Sequence, residues 1–130
     1  MAKSRVIATV TALIVGLSAW LYAAPNLVTR EGKLVSASCY LEDHSLTGDE
    51  MGGRPCGSGC LKQGKPGGLL TKDNQFFILD GPSLALAPYV GQEIRVTGEE
   101  RAKDILSVYR AEVKRAGGWE SIDTRYHPTK

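Results

Sequence analysis

The stretch GQEIRVTG, residues 91–98, gives the clearest structural signal in this sequence of 130 residues. Its side chains alternate strictly, with Ile94 and Val96 on one face and charged or polar residues on the other. Strict alternation is typical of a β-strand that buries one face and exposes the other. The stretch therefore predicts a strand with Ile94 and Val96 directed into a hydrophobic core.

Further strand signals lie on both sides of this stretch. Residues 32–40 alternate in the same way and predict a first strand, with Cys39 on the inward parity near its end. Residues 68–71 and 75–79 flank a Lys-Asp-Asn turn and predict a hairpin. Residues 106–113 change parity midway, which predicts either a bulge or a strand bent around a corner.

These elements, with one or two helical turns predicted at residues 84–89, indicate an all-β fold. Five strands with a short helix between the third and fourth follow the order of a small OB-fold-like Greek-key barrel. Residues 41–66 form a long first connection that is rich in glycine. A loop of this length is usually functional or disordered, and the first connection is a binding loop in that architecture.

The N-terminal segment predicts a membrane anchor. Residues 6–24 contain no charged side chain, Lys3 and Arg5 precede them, and the next charge is Arg30. A helix of this length nearly spans a bilayer, and the preceding charges place its N-terminus in the cytoplasm. A cleaved signal peptide is the alternative, but the bulky Tyr22 stands where a cleavage site needs a small residue. We therefore expect a single-pass inner-membrane protein that contacts membrane lipid through its helix and has its C-terminal domain in the periplasm.

Three regions follow: an anchor at residues 1–25, an OB-fold-like barrel domain at residues 31–115 and a polar C-terminal tail at residues 116–130. The net charge is only +2, and the Lys and Arg residues are spread along the chain. A nucleic-acid-binding domain ordinarily concentrates basic residues on one surface. We therefore expect no nucleic-acid partner.

Three cysteines, Cys39, Cys56 and Cys60, follow the anchor, and an odd number cannot all form disulfides within one chain. Small exported domains ordinarily use cysteines as disulfides. We expect Cys39 to pair with either Cys56 or Cys60, which would close a loop of about 20 residues and stabilise the domain by about 3 kcal/mol. One cysteine would keep its thiol.

A metal site is the second interpretation of the same cysteines. Together with His44 they would supply three thiolates and one imidazole, a ligand set that suits zinc or copper. Cys56 and Cys60 would lie on the same face of a helical turn. The two glycines between them disfavour such a turn, because each costs a helix about 1 kcal/mol relative to alanine. The sequence leaves the disulfide and the metal site open as alternatives.

The residue pattern does not indicate an enzyme. Neither Cys-x-x-Cys nor Cys-x-x-Cys-His is present, so a thioredoxin-type centre and covalently attached haem are not expected. No histidine–acid arrangement that would activate a serine or cysteine nucleophile is recognisable. Asp43 and Asp49 lie near the cysteines, but acidic residues in a loop are usually solvated.

Three groups of short motifs carry a family resemblance: GKLV (32–35) leading to CYL (39–41), CGSGC (56–60) followed by GKPGGLLT (64–71), and LAPYVG (86–91) leading to VTG (96–98). Over residues 32–114 the chain resembles a family of small bacterial exported domains with an OB-fold-like barrel. The resemblance implies a fold and an exported compartment, and no established activity. Relatives often carry a histidine three residues before the second cysteine. This chain has Gly53 there, which weakens a metal site carried over from them.

These features predict a membrane-anchored, periplasm-facing accessory or binding module whose cysteine loop is stapled by a disulfide or holds a metal. The alternative is a non-catalytic structural subunit of an inner-membrane protein complex. Such a subunit would dock through its helix and its C-terminal tail, which contains Trp119 and Tyr126.

Overall fold

The computed structural model describes residues 26–49 and 56–125. These residues form mostly β-structure with a few short helices: β1 (Leu27–Ser36), α1 (Ala37–Glu42), α2 (Ser58–Lys62), β2 (Gly67–Leu70), β3 (Phe76–Asp80), α3 (Ser83–Leu86), a 3-10 turn (Ala87–Tyr89), β4 (Glu93–Ala102), β5 (Ile105–Arg115) and β6 (Gly118–Ile122). The predicted anchor and Tyr126 lie outside the described residues. Among the helices of the described part, none has the length and apolar character needed to cross a membrane.

The six described strands form one sheet in the order β3-β2-β1-β4-β5-β6, and neighbours in this order pair antiparallel. β3 also pairs with β5, in parallel, with Ile78 opposite Ile105 and Asp80 opposite Ser107. The first five strands therefore form a closed ring in the order β1-β2-β3-β5-β4, and β6 extends the sheet beyond β5. The mainly β fold is confirmed, with one strand more than the five predicted.

The core confirms the inward face of β4. Ile94 and Val96 are fully buried, and they join a cluster of buried side chains: Leu34, Leu61, Leu69, Leu79, Leu86, Leu106 and Val113. The predicted hairpin is present, because β2 pairs with β3. The predicted helical turns between the third and fourth strands are α3 and the 3-10 turn. Periodicity therefore located most elements of the ring correctly.

The parity change predicted in the last strand is a bulge at Tyr109 of β5. Thr97 of β4 lies opposite Arg110, whereas Gly98 lies opposite Val108, so Tyr109 is an extra residue in the ladder. An extra residue shifts all later side chains to the other face. Apolar residues on both sides of the bulge can therefore face the core although their parities differ.

Both ends of the predicted first strand are wrong, and β1 begins at Leu27 rather than at residue 32. β1 ends at Ser36, and the residues after it form α1. Alternation over a few residues does not distinguish the end of a strand from a single helical turn. Cys39 consequently lies in a helix rather than at a strand end, although it is buried as expected.

β6 lies within the segment predicted as a polar tail. Ile122 is its one buried residue. Trp119 is half-buried, and the guanidinium carbon of Arg95 lies 4.6 Å from the centre of its ring. A short strand with one buried residue gives too weak an alternation to be found from sequence. Its pairing with β5 therefore depends on tertiary contacts.

Candidate functional site

Cys39 is positioned by α1, which follows β1 directly. The backbone N–H of Ala37 donates to the carbonyl of Pro66 at 3.2 Å, just before β2. Tyr40 stacks on Phe76 of β3, with ring centroids 4.7 Å apart. These two contacts fasten α1 against the β2–β3 hairpin. The helix holds Cys39 in the interior, where the residue is only 4% exposed.

Cys56 and Cys60 flank the start of α2. Gly57 has a φ of +75°, in the left-handed region that glycine adopts without a steric penalty. Its carbonyl accepts a hydrogen bond from the N–H of Cys60 at 3.1 Å, which begins the helix. α2 contacts α3 and the 3-10 turn. As a result Cys60 is 7% exposed, whereas Cys56 is half-buried.

The three cysteine side chains meet at one place. Cys39 and Cys56 form a disulfide, and their Cα atoms are 6.3 Å apart. The sulfur of Cys60 lies 3.7 Å from the sulfur of Cys39, and Cys60 is the donor because a disulfide sulfur carries no proton. All three sulfur atoms lie within 4.8 Å of one another. Of the two pairings left open by the sequence, the structure contains Cys39–Cys56 and places the third cysteine beside it.

The sulfur cluster is continuous with the hydrophobic core. Leu61, Leu86 and Val90 are buried members of the same packed cluster, and Leu46 packs against it. Isolated anionic groups are costly in apolar surroundings. The site therefore favours neutral sulfur groups, or thiolates whose charge a bound cation offsets.

Asp49 connects the segment after α1 to the start of α2. Its Oδ1 accepts a hydrogen bond from the backbone N–H of Ser58 at 2.6 Å. Hydrogen bonds from the side chain and backbone of Ser58 hold the pKa of Asp49 below its usual range. A side chain at position 57 would come within 2.8 Å of the Cα of Asp49, so the close approach requires Gly57. No local pattern in the sequence indicates this contact, because it joins residues nine positions apart in the loop.

His44, the predicted fourth metal ligand, is not part of the sulfur group. It is exposed, and its ring stacks on Tyr40 with centroids 4.6 Å apart. The neighbouring Asp43 accepts hydrogen bonds from the backbone and hydroxyl of Ser45, which lower the pKa of Asp43. Within the described residues the cluster thus offers three sulfur ligands, and a role for His44 stays a prediction.

A second concave feature is an open groove of about 790 Å³ between β1, β3 and the turn that joins β4 to β5. Arg30 on its wall forms an ion pair with Glu100 at 3.2 Å. Because Glu100 already offsets the positive charge of Arg30, this arginine does not by itself indicate a site for a negatively charged ligand. The cysteine cluster, which joins three reactive side chains, is the stronger candidate site.

The chemistry available to this cluster follows from its sulfur atoms. Cysteine thiolates form disulfides reversibly and exchange with them, and they coordinate soft metal ions.

Comparisons of the chain with protein-family models, with curated proteins and with solved structures find no match.

Proposed function

We propose that this chain is a non-catalytic binding module whose three cysteines bind one soft metal ion after a dithiol reductant has reduced the Cys39–Cys56 disulfide to two thiols and has itself become a disulfide. One observation carries the proposal: the sulfur atoms of Cys39, Cys56 and Cys60 lie within 4.8 Å of one another. Metal–sulfur bonds of about 2.3 Å would place three sulfur atoms roughly 4 Å apart around one ion. Small side-chain rotations would convert the cluster into a coordination shell.

The ligand set favours copper(I), with zinc as the second choice. Soft thiolate ligands select both of these metals. Zinc prefers four ligands in a tetrahedron, and the described residues bring three together. Copper(I) is stable with three thiolates, whereas zinc would need His44 or a water molecule in addition. In the apolar surroundings of the cluster, either cation would offset the charge of the thiolates.

The ring of strand pairings is, in this proposal, an OB-fold-like barrel. The supporting features are the antiparallel succession from β1 to β3, the parallel pairing of β3 with β5, and the helix between β3 and β4. The connection between the first two strands serves as a binding loop in that architecture. Here this connection carries α1, α2 and all three cysteines.

The proposed location is the periplasmic face of the inner membrane, with residues 1–25 as the anchor and membrane lipid around it. The uncharged segment at residues 6–24 supports it, as does the Cys39–Cys56 disulfide, because disulfides persist in oxidising compartments. Other inner-membrane subunits are the proposed protein partners. Docking through Trp119, as a structural subunit would require, gains no support from the packing of that residue against Arg95.

The metal proposal is tested on the full-length chain in mild detergent. After reduction and removal of the reductant without oxygen, the chain is titrated with copper(I) from a weak competing chelator and examined by native mass spectrometry. We expect one copper ion per chain in the reduced protein and none in the oxidised protein, because the disulfide removes two of the three thiolates.

The matched controls separate the cysteines from His44. Cys60→Ser is expected to lower the affinity for copper(I) by at least about tenfold, since one ligand of three is lost. His44→Ala is expected to leave the affinity unchanged, because His44 lies outside the sulfur group. If the reduced parent and Cys60→Ser bind copper(I) equally well, the cysteine cluster is not the metal site.

A further inference from the structure

The thiol of Cys60 lies against the disulfide. Its sulfur is 3.7 Å from the Cys39 member of the disulfide, and Cys60 is buried in the same cluster. A thiolate that attacks a disulfide sulfur forms a new disulfide and expels the other sulfur. Since Cys60 contacts Cys39, attack on Cys39 expels Cys56.

We propose that the domain exchanges its disulfide between two pairings, Cys39–Cys56 and Cys39–Cys60. The thiol of Cys60 gives up its proton as its sulfur attacks the sulfur of Cys39, so that the Cys39–Cys60 bond forms as the Cys39–Cys56 bond breaks. The electron pair of the broken bond leaves with the sulfur of Cys56, which takes up the proton that Cys60 has lost. One disulfide and one thiol are present before and after, so the step needs no oxidant or reductant.

The arrangement of the sulfur atoms sets what must move. All three lie within 4.8 Å of one another, so they form a triangle, whereas an attacking sulfur approaches along the axis of the S–S bond. A rotation about the Cα–Cβ bond of Cys60 or Cys56 would bring the atoms into line.

The exchange changes which thiol faces solvent. Cys60 is 7% exposed, whereas Cys56 is half-buried. Exchange therefore converts a thiol in the interior into a half-buried one on the loop, which a small-molecule disulfide reaches more readily. This surface thiol requires no bound metal, so the inference is independent of the proposed metal site.

The exchange is tested by alkylation of the oxidised, metal-free full-length chain. The folded protein is treated with N-ethylmaleimide without reductant and then digested with pepsin in acid, where thiolates are protonated and exchange stops. We expect mass spectrometry to find the maleimide on Cys56 in at least fivefold excess over Cys60. The labelled molecules should contain the Cys39–Cys60 bond.

Two variants make the result decisive. Cys60→Ser lacks the internal nucleophile and is expected to take up no maleimide, with Cys39–Cys56 intact. Cys56→Ser is expected to form Cys39–Cys60 and also to take up none. Labelling mainly on Cys60 in the parent, or no labelling of the parent under conditions that label it fully in denaturant, would overturn the proposal.

Discussion

Val96→Asp is expected to lower the free energy of unfolding of the domain by several kcal/mol. Val96 is fully buried and lies opposite Ala111 of β5 and Arg30 of β1 in the ladder. Arg30 already pairs with Glu100, so a carboxylate at this fully buried position has no unpaired cation beside it and costs roughly 3 kcal/mol or more. Domains of this size have a total stability of about 5–15 kcal/mol. Urea denaturation followed by circular dichroism measures the loss.

The matched control is Thr97→Asp, one residue further along β4. Thr97 lies on the opposite, half-buried face and faces Arg110 across the ladder, so a carboxylate there remains near water and near a positive charge. Its expected effect on the free energy of unfolding is within about 1 kcal/mol. Equal midpoints for Val96→Asp and the parent protein would show that the inward face of β4 is assigned incorrectly.

Cys39→Ala is expected to destabilise the oxidised domain by about 3 kcal/mol more than Cys60→Ala does. Both side chains are buried, so both substitutions remove similar packing. Only Cys39 belongs to the disulfide, which joins residues separated by 17 positions. In the chain-entropy model, a loop of that size accounts for the difference.

Denaturation of the parent with and without reductant provides the control for this comparison. Reduction should remove the same increment of stability from the parent and from Cys60→Ala, and it should have little effect on Cys39→Ala. A reductant effect as large in Cys39→Ala as in the parent would contradict the assignment of the disulfide to Cys39.

The sequence predicted the elements whose signal is local. Ile94 and Val96 alternate with polar residues over a full strand, and both are buried as expected. The hairpin between β2 and β3 has turn residues at its centre, and the bulge at Tyr109 appeared as a change of parity. In each case one short window contains both the pattern and the structure that it predicts.

The parts that were missed depend on contacts between distant residues. α1 begins at Ala37, although apolar and polar residues still alternate in the sequence up to residue 40. Its position depends on the stacking of Tyr40 on Phe76 of β3. β6 has one buried residue, Ile122, and forms by pairing with β5. Neither contact leaves a periodic signal in the segment concerned.

The candidate site was predicted in part. The sequence identified all three cysteines and expected Cys39 to be the shared partner, but spacing alone could not choose between Cys56 and Cys60. That choice depends on how α2 packs and on the link between Asp49 and Ser58. The surface stacking of His44 on Tyr40 likewise follows from the position of α1, which residue type alone does not reveal.

The central claim is that every intramolecular disulfide contains Cys39, whether its partner is Cys56 or Cys60. Disulfide mapping tests this claim most directly. The metal-free, full-length chain is oxidised with glutathione disulfide, quenched in acid and digested with pepsin, and the linked peptides are identified by mass spectrometry. The structure predicts that the intramolecular disulfides contain Cys39, with Cys56 or Cys60 as its partner. A Cys56–Cys60 bond as the main product, or bonds chiefly between two copies of the chain, would contradict the account.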